Sequence, residues 1–149
     1  EPDPRVDLSG IDVMRKLVIL ARESGYRAEL DDVSLNPLLP DELFISSIDN
    51  FYRALPAESE RMEQLRRKAE AEGKRLRFIA TLDCGKLSVG LREVDASHPF
   101  YNLEGSNNVI LITTQRYREY PMVIKGYGAG ADVTAAGVFA DIYSIANIG

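Results

Sequence analysis

The chain has 149 residues, enough for one domain and short for two, and a domain of this size buries roughly 70% of its unfolded surface without staples. Hydrophobic content of 45% and charged content of 28% are ordinary globular values, while a net charge of −5 argues against nucleic acid, whose phosphates call for a basic surface. No stretch approaches the ~20 apolar residues of a membrane span, and one histidine with one cysteine is too thin a ligand set for zinc.

The opening, EPDPRVDLSGIDVMRK, sets four acids (Glu1, Asp3, Asp7, Asp12) and two bases (Arg5, Lys16) in a proline-punctuated loop that runs into a helix. No initiator Met or polar lead-in precedes Glu1, so the chain is expected to be a piece of a longer protein. The first helix is predicted over 9–24, because Ile11, Met14, Leu17, Val18 and Ala21 recur at spacings of three and four. Ser9-Gly10-Ile11-Asp12 has the form of a capping box, with Ser9 as N-cap, and Gly25 is a natural C-terminal stop.

Val33 to Leu38 alternates apolar and polar up to Pro37, which reads as a short strand at a sheet edge or strand end. Residues 41–55 are expected to be short helix and loop. A highly charged helix is predicted over 57–72, its narrow stripe made by Met62, Leu65 and Ala69, its charges a solvated face, and Gly73 its end. Residues 75–82 and 86–94 are strand-like runs joined by Asp83-Cys84-Gly85 as a hairpin. Cys84 cannot form an internal disulfide, which suits a reducing cytoplasm, and at a tight turn it is expected to be incidental. His98, before Pro99, reads as structural. Two more strands are predicted at 108–114 and 121–125, the first apolar enough to be central. A glycine-rich loop (Gly126, Gly128, Gly130) then enters a last helix over 133–146. The order of elements predicts a single α+β domain over 1–149 with a mixed, mostly antiparallel sheet.

Two places could carry chemistry. Gly126-x-Gly128-x-x-Ala131 matches the dinucleotide fingerprint G-x-G-x-x-G/A after a strand. Only 18 residues follow Ala131, which leaves no second parallel strand and no ribose-binding acid, so a Rossmann opening is rejected. The glycines remain open to two readings: a tightly packed strand-to-helix turn, or a close approach to a ligand with helix-start amides facing negative charge. At the other end, Asp12 and Lys16 are four apart and share a helix face. Structurally they are a cap residue and an ion pair. Functionally, Lys16 is a candidate proton donor and acceptor, with Glu1, Asp3 and Asp7 available to grip an ammonium or hydroxyl. The acid alone keeps the ammonium charged, so general acid–base work needs burial to release its proton.

The text of the sequence adds to this. EPDPRVDLSGIDVMRKLVILARESG closely resembles the signature of homoserine dehydrogenases, E-P-D-P-R-D-D-L-S/N-G-x-D-V-A-R-K leading into the catalytic helix, and GYGAGADVTAAGVFADI resembles the same family's C-terminal loop and helix. The match is anchored at both ends; the middle fits the family's order of elements without a quotable motif. The pairing of the two forms looks most like the version in bifunctional aspartate kinase–homoserine dehydrogenases. The resemblance implies an NAD- or NADP-dependent oxidoreductase that interconverts aspartate 4-semialdehyde and homoserine, on the path to threonine and methionine. It implies Lys16 as the catalytic lysine that protonates the carbonyl, Glu1 as the acid that meets the substrate amino group, and Asp7 and Asp12 as acids that hold the reacting oxygen side and the catalytic geometry. Gly130, and with it Gly128, falls in the loop that touches the cofactor. The fold implied is a mixed sheet with helices on one face, commonly forming a homodimer.

Val6 departs from the family pattern, which usually has the first of two consecutive acids there; Asp7 keeps the second. The resemblance also implies a Rossmann domain, a further lysine near the substrate and a monovalent-cation site, none of which lies in this sequence. On this reading the chain alone is expected to be inactive, and 126–149 is expected to pack on the nucleotide domain. The alternative is a non-catalytic α+β module that binds an amino acid as a regulator, which needs neither a proton-transfer lysine nor a glycine loop aimed at a cofactor.

Overall fold

The computed structural model describes residues 3–105, 107–128 and 130–148. They form two compact units, divided between Asp95 and Ala96.

The first unit opens with a short helix, α1 (Pro4–Leu8), followed by α2 (Ile11–Glu23). The expected single helix over 9–24 is therefore corrected at its start. Ser9 is not the N-cap of α2: its hydroxyl donates to the Val6 carbonyl at 3.0 Å, and Gly10, at φ 80°, is the cap residue. The reason lies in packing. A Cβ at Gly10 would stand 3.1 Å from Phe78 Cζ and 3.2 Å from Leu35 Cδ1, so the α1–α2 junction lies against the sheet in a left-handed conformation that glycine adopts without strain. The expected stop is where the sequence puts it. The amides of Gly25 and Tyr26 donate back to the Arg22 and Ala21 carbonyls, a Schellman closure.

After a 3₁₀ turn at Leu30–Asp32 come β1 (Val33–Asn36), α3 (Asp41–Phe44) and α4 (Ile48–Ala71). Helix α4 starts nine residues before the predicted 57. The Ser47 hydroxyl caps it by accepting from Asn50 N, and Pro56 sits inside it. Pro56 removes one backbone donor to Tyr52, but both residues are exposed, so water can satisfy that carbonyl. Beyond the buried Phe51 and Ala69, α4 is largely a solvated charged face. Arg66 and Arg67 both bind Glu63, and Arg66 also pairs with Glu70. Those two arginines hold the Glu63 carboxyl down to about 2.

Strands β2 (Arg75–Asp83) and β3 (Lys86–Val94) form the expected hairpin, turning through Cys84 and Gly85 at φ 47° and 82°. Positive φ at both positions is the type I′ signature that matches strand twist. The sheet order is β1-β3-β2, with β1 parallel and β2 antiparallel to β3, so β1 is an edge as its proline predicted. The core is the α2 stripe Leu17, Val18 and Ala21 against Val33, Leu87 and Val89, with Phe78, Ala80 and Leu82 packed alongside.

In the second unit, the Phe100 amide donates to His98 Nδ1 at 3.1 Å, and the two rings meet edge-on at 4.8 Å. Strands β4 (Asn107–Ile112) and β5 (Met122–Tyr127) pair antiparallel as a sheet of their own, so β4 is not the central strand its apolar run suggested. Helix α5 (Ala131–Ala146) closes the unit without a buried residue, and Val138, Ile142 and Ile145 are all exposed. The class is α+β with mostly antiparallel strand pairing, as the order of elements implied. Among the described residues no helix is long and apolar enough to cross a membrane.

Candidate active site

Helix α2 buries one face against the sheet and turns Asp12 and Lys16 away from it. Lys16 Nζ lies 2.7 Å from Asp12 Oδ2, one helical turn apart, with the side chains 61% and 41% exposed. An i,i+4 pair this open to water is worth only about 0.3–0.5 kcal/mol of stability. In this pairing the ammonium points toward the N-terminal end of α2.

Just before that end stands α1, and its construction is local. Asp3 is its N-cap and Pro4 its first residue, an arrangement in which the missing proline amide costs nothing. Asp3 Oδ1 accepts from the Arg5 amide at 3.0 Å and from Arg5 Nε at 2.8 Å, while Oδ2 receives Arg5 Nη2 at 2.6 Å. The remaining arm of the fork, Arg5 Nη1, donates to the Ser46 carbonyl in the α3–α4 connection. Hydrogen bonding to Arg5 holds the Asp3 carboxyl below its ordinary value, and the same bonds raise Arg5. Asp3 is thus committed within the protein and is not the free substrate grip that its position in the opening stretch suggested.

Asp7 is exposed near the end of α1, with its backbone carbonyl accepting from Gly10 N at 3.2 Å. Glu1 lies outside the described residues. The structure therefore brings Asp12 and Lys16 into contact and leaves the Asp7 carboxylate open on the neighbouring helix. Arg5 is the residue for which the sequence reading named no role. Its signal was present in the order Asp-Pro-Arg: a cap residue, a helix-starting proline and a cation two residues from the acid.

The glycine loop belongs to the second unit. Gly130, at φ 131°, is the N-cap of α5 and accepts from Thr134 N at 3.1 Å. Among the described residues, nothing beyond its chain neighbours lies within 4 Å of where its Cβ would be. Only the backbone conformation demands glycine there. Gly128 is different. A Cβ on it would collide with the Asn108 amide group at 1.6 Å, so its glycine serves the packing of β4 beside the loop.

The homoserine dehydrogenase family model matches residues 1–143. Over 150 residues, and 99% of its own length, the chain is 50% identical to a chloroplastic bifunctional aspartokinase/homoserine dehydrogenase 2 of Zea mays. It is 46% identical to the homoserine dehydrogenase of Saccharomyces cerevisiae, with 98% of the chain aligned. It spans 16% of the maize protein and 42% of the yeast one. Among solved structures, a Candida auris protein of unknown function superposes with a TM-score of 0.88 at 41% identity, over 98% of this chain and 42% of that one. A putative homoserine dehydrogenase of Archaeoglobus fulgidus gives 0.69 at 27% identity, over 97% of this chain and 38% of that one. With a family signature read at both ends and matched across nearly the whole length, this chain belongs to the homoserine dehydrogenase family.

Proposed function

We propose that the chain is the substrate-binding and catalytic portion of an enzyme that interconverts L-homoserine and L-aspartate 4-semialdehyde, in threonine and methionine biosynthesis. The observation that carries this reading is the Asp12–Lys16 contact at 2.7 Å, inside the stretch that bears the family signature. NAD(P)H, when bound, supplies the hydride to the aldehyde carbon. Lys16 holds a proton at Nζ and releases it to the aldehyde oxygen, giving the primary alcohol; in the reverse direction Nζ takes the hydroxyl proton. Asp12 orients Nζ from one helical turn away. Asp7 holds the reacting-oxygen side, and Glu1 receives the substrate ammonium. Lys16 is exposed in this chain, where substrate and a nucleotide-binding domain can reach it.

Gly130 offers open backbone at the start of α5 to the cofactor, with Gly128 beside it in the same loop. Most of the cofactor's binding, and the choice between NAD and NADP, belongs to the nucleotide domain. The exposed apolar face of α5 supports residues 126–149 packing on that domain. We further propose a homodimer in a reducing, cytoplasmic setting, with residues 1–149 acting together as one catalytic portion. The amino-acid-binding regulatory alternative leaves the Asp12–Lys16 pair without a use. The test is to titrate the chain alone with NADPH and to assay NAD(P)-dependent homoserine oxidation by the intact enzyme. Turnover confined to the intact enzyme is expected, and micromolar NADPH affinity in the isolated chain contradicts the division of labour.

A further inference from the structure

We infer that Arg5 is a positioning residue: by clamping α1 to the α3–α4 connection it fixes Asp7 relative to the Asp12–Lys16 pair. The inference rests on the proposed reaction for its functional consequence, and on geometry alone for the clamp.

Helix α1 has only five residues and no buried side chain, so neither helix cooperativity nor a core holds it in place. Two attachments do so instead. On its C-terminal side, Ser9 is buried, accepts from Ile11 N, and leads into Gly10, which is seated against Phe78 and Leu35. On its N-terminal side, the Arg5 guanidinium reaches both Asp3 oxygens and the Ser46 carbonyl. Ser46 is itself fixed, since its hydroxyl donates to the Leu43 carbonyl at 2.9 Å and the next residue caps the 24-residue α4.

Asp7 lies two residues from each attachment. With both in place, its carboxylate has little freedom beyond its own rotamers. Without the clamp, α1 can swing about Gly10 while α2, and the lysine on it, stay where the core holds them. Lysine cannot replace the clamp. It is a single charge on a flexible stem, whereas Arg5 uses a planar fork on two partners, Asp3 and a Ser46 carbonyl that lies 41 residues from Arg5 in sequence.

Such a role predicts a defect in alignment. A misplacement of about 1 Å in a positioned group can cost roughly 100-fold in rate. In the intact enzyme, Arg5→Ala and Arg5→Lys should each lower kcat/KM by roughly 10- to 100-fold. Asp3→Ala should do the same, and the double variant Asp3→Ala/Arg5→Ala should be no worse than either single one, because the two side chains form one unit. The second readout is amide hydrogen exchange in the isolated chain. In Arg5→Ala the amides of residues 6–10 should exchange at least about 10-fold faster, while those of 17–23 in α2 keep their protection.

Unchanged exchange over 6–10 overturns the clamp, whatever the activity. Full activity in Arg5→Lys, or fully additive losses for Asp3 and Arg5, overturns its positioning role. Lys16→Ala, assayed alongside, separates the two levels: if it retains normal turnover the proposed reaction fails, and exchange still decides whether Arg5 holds α1.

Discussion

Gly10→Ala should destabilise the first unit much more than Gly25→Ala, although the two glycines share nearly the same backbone, φ 80° and 88°. A non-glycine residue in the left-handed region costs roughly 1–2 kcal/mol, and this applies to both. At Gly25 none of the described residues beyond its chain neighbours lies within 4 Å of the new Cβ, so the conformational term is the whole effect. At Gly10 the methyl group would meet Phe78 Cζ at 3.1 Å and both Phe78 Cε1 and Leu35 Cδ1 at 3.2 Å. Overpacking of that kind adds roughly 1–3 kcal/mol, since Phe78 and Leu35 are both packed against the core and cannot move freely. On a urea slope of ~1.5 kcal/mol/M, the difference separates the two midpoints by roughly 0.7–2 M. The assay is urea unfolding of the isolated chain followed by far-ultraviolet circular dichroism. Equal midpoints would refute the reasoning, because they would mean that Phe78 and Leu35 yield freely and that the α1–α2 hinge is not seated on the sheet.

Phe51→Ala should cost roughly 3–5 kcal/mol in the same experiment, because Phe51 is fully buried between Phe44 and Tyr52; a loss below ~1 kcal/mol would show that the α3–α4 packing is loose. Glu63 gives a pH dependence. Its carboxyl is held near 2 in the folded chain against an ordinary 4.5, so between those values the unfolded state takes up the proton first. Its contribution is complete above about 4.5 and is lost as pH falls toward about 2. Glu63→Gln should therefore lower the unfolding midpoint slightly at pH 7, lose that difference near pH 2, and show less effect in high salt. A difference that grows on acidification would contradict the assignment.

The parts of the fold legible in the sequence were those with a local cause. Gly25 and Gly73 end α2 and α4 because only a left-handed residue closes a Schellman turn without strain. The β2–β3 hairpin follows from a two-residue turn between alternating runs. The contact of Asp12 with Lys16 follows from helical spacing. What the sequence hid has a non-local cause. Ser9-Gly10-Ile11-Asp12 fits a capping box, but packing on Phe78 and Leu35, more than twenty residues away, turns it into a hinge. The charged helix was expected to begin at 57, and capping by Ser47 starts it nine residues earlier. Strand β4 looked central because apolar residues also suit a two-stranded sheet whose faces stay partly exposed. Asp3 looked like a free acid until Arg5 was seen to occupy it.

The central claim is that Lys16 moves the proton. It is tested most directly by kcat for homoserine oxidation in the intact enzyme with Lys16→Ala, measured beside its unfolding midpoint. Lys16 is exposed and its pair with Asp12 is worth little, so the unfolding free energy given by that midpoint should change by less than about 0.5 kcal/mol while kcat falls by roughly 100-fold or more. Turnover near that of the unaltered enzyme, with the fold intact, would contradict the account.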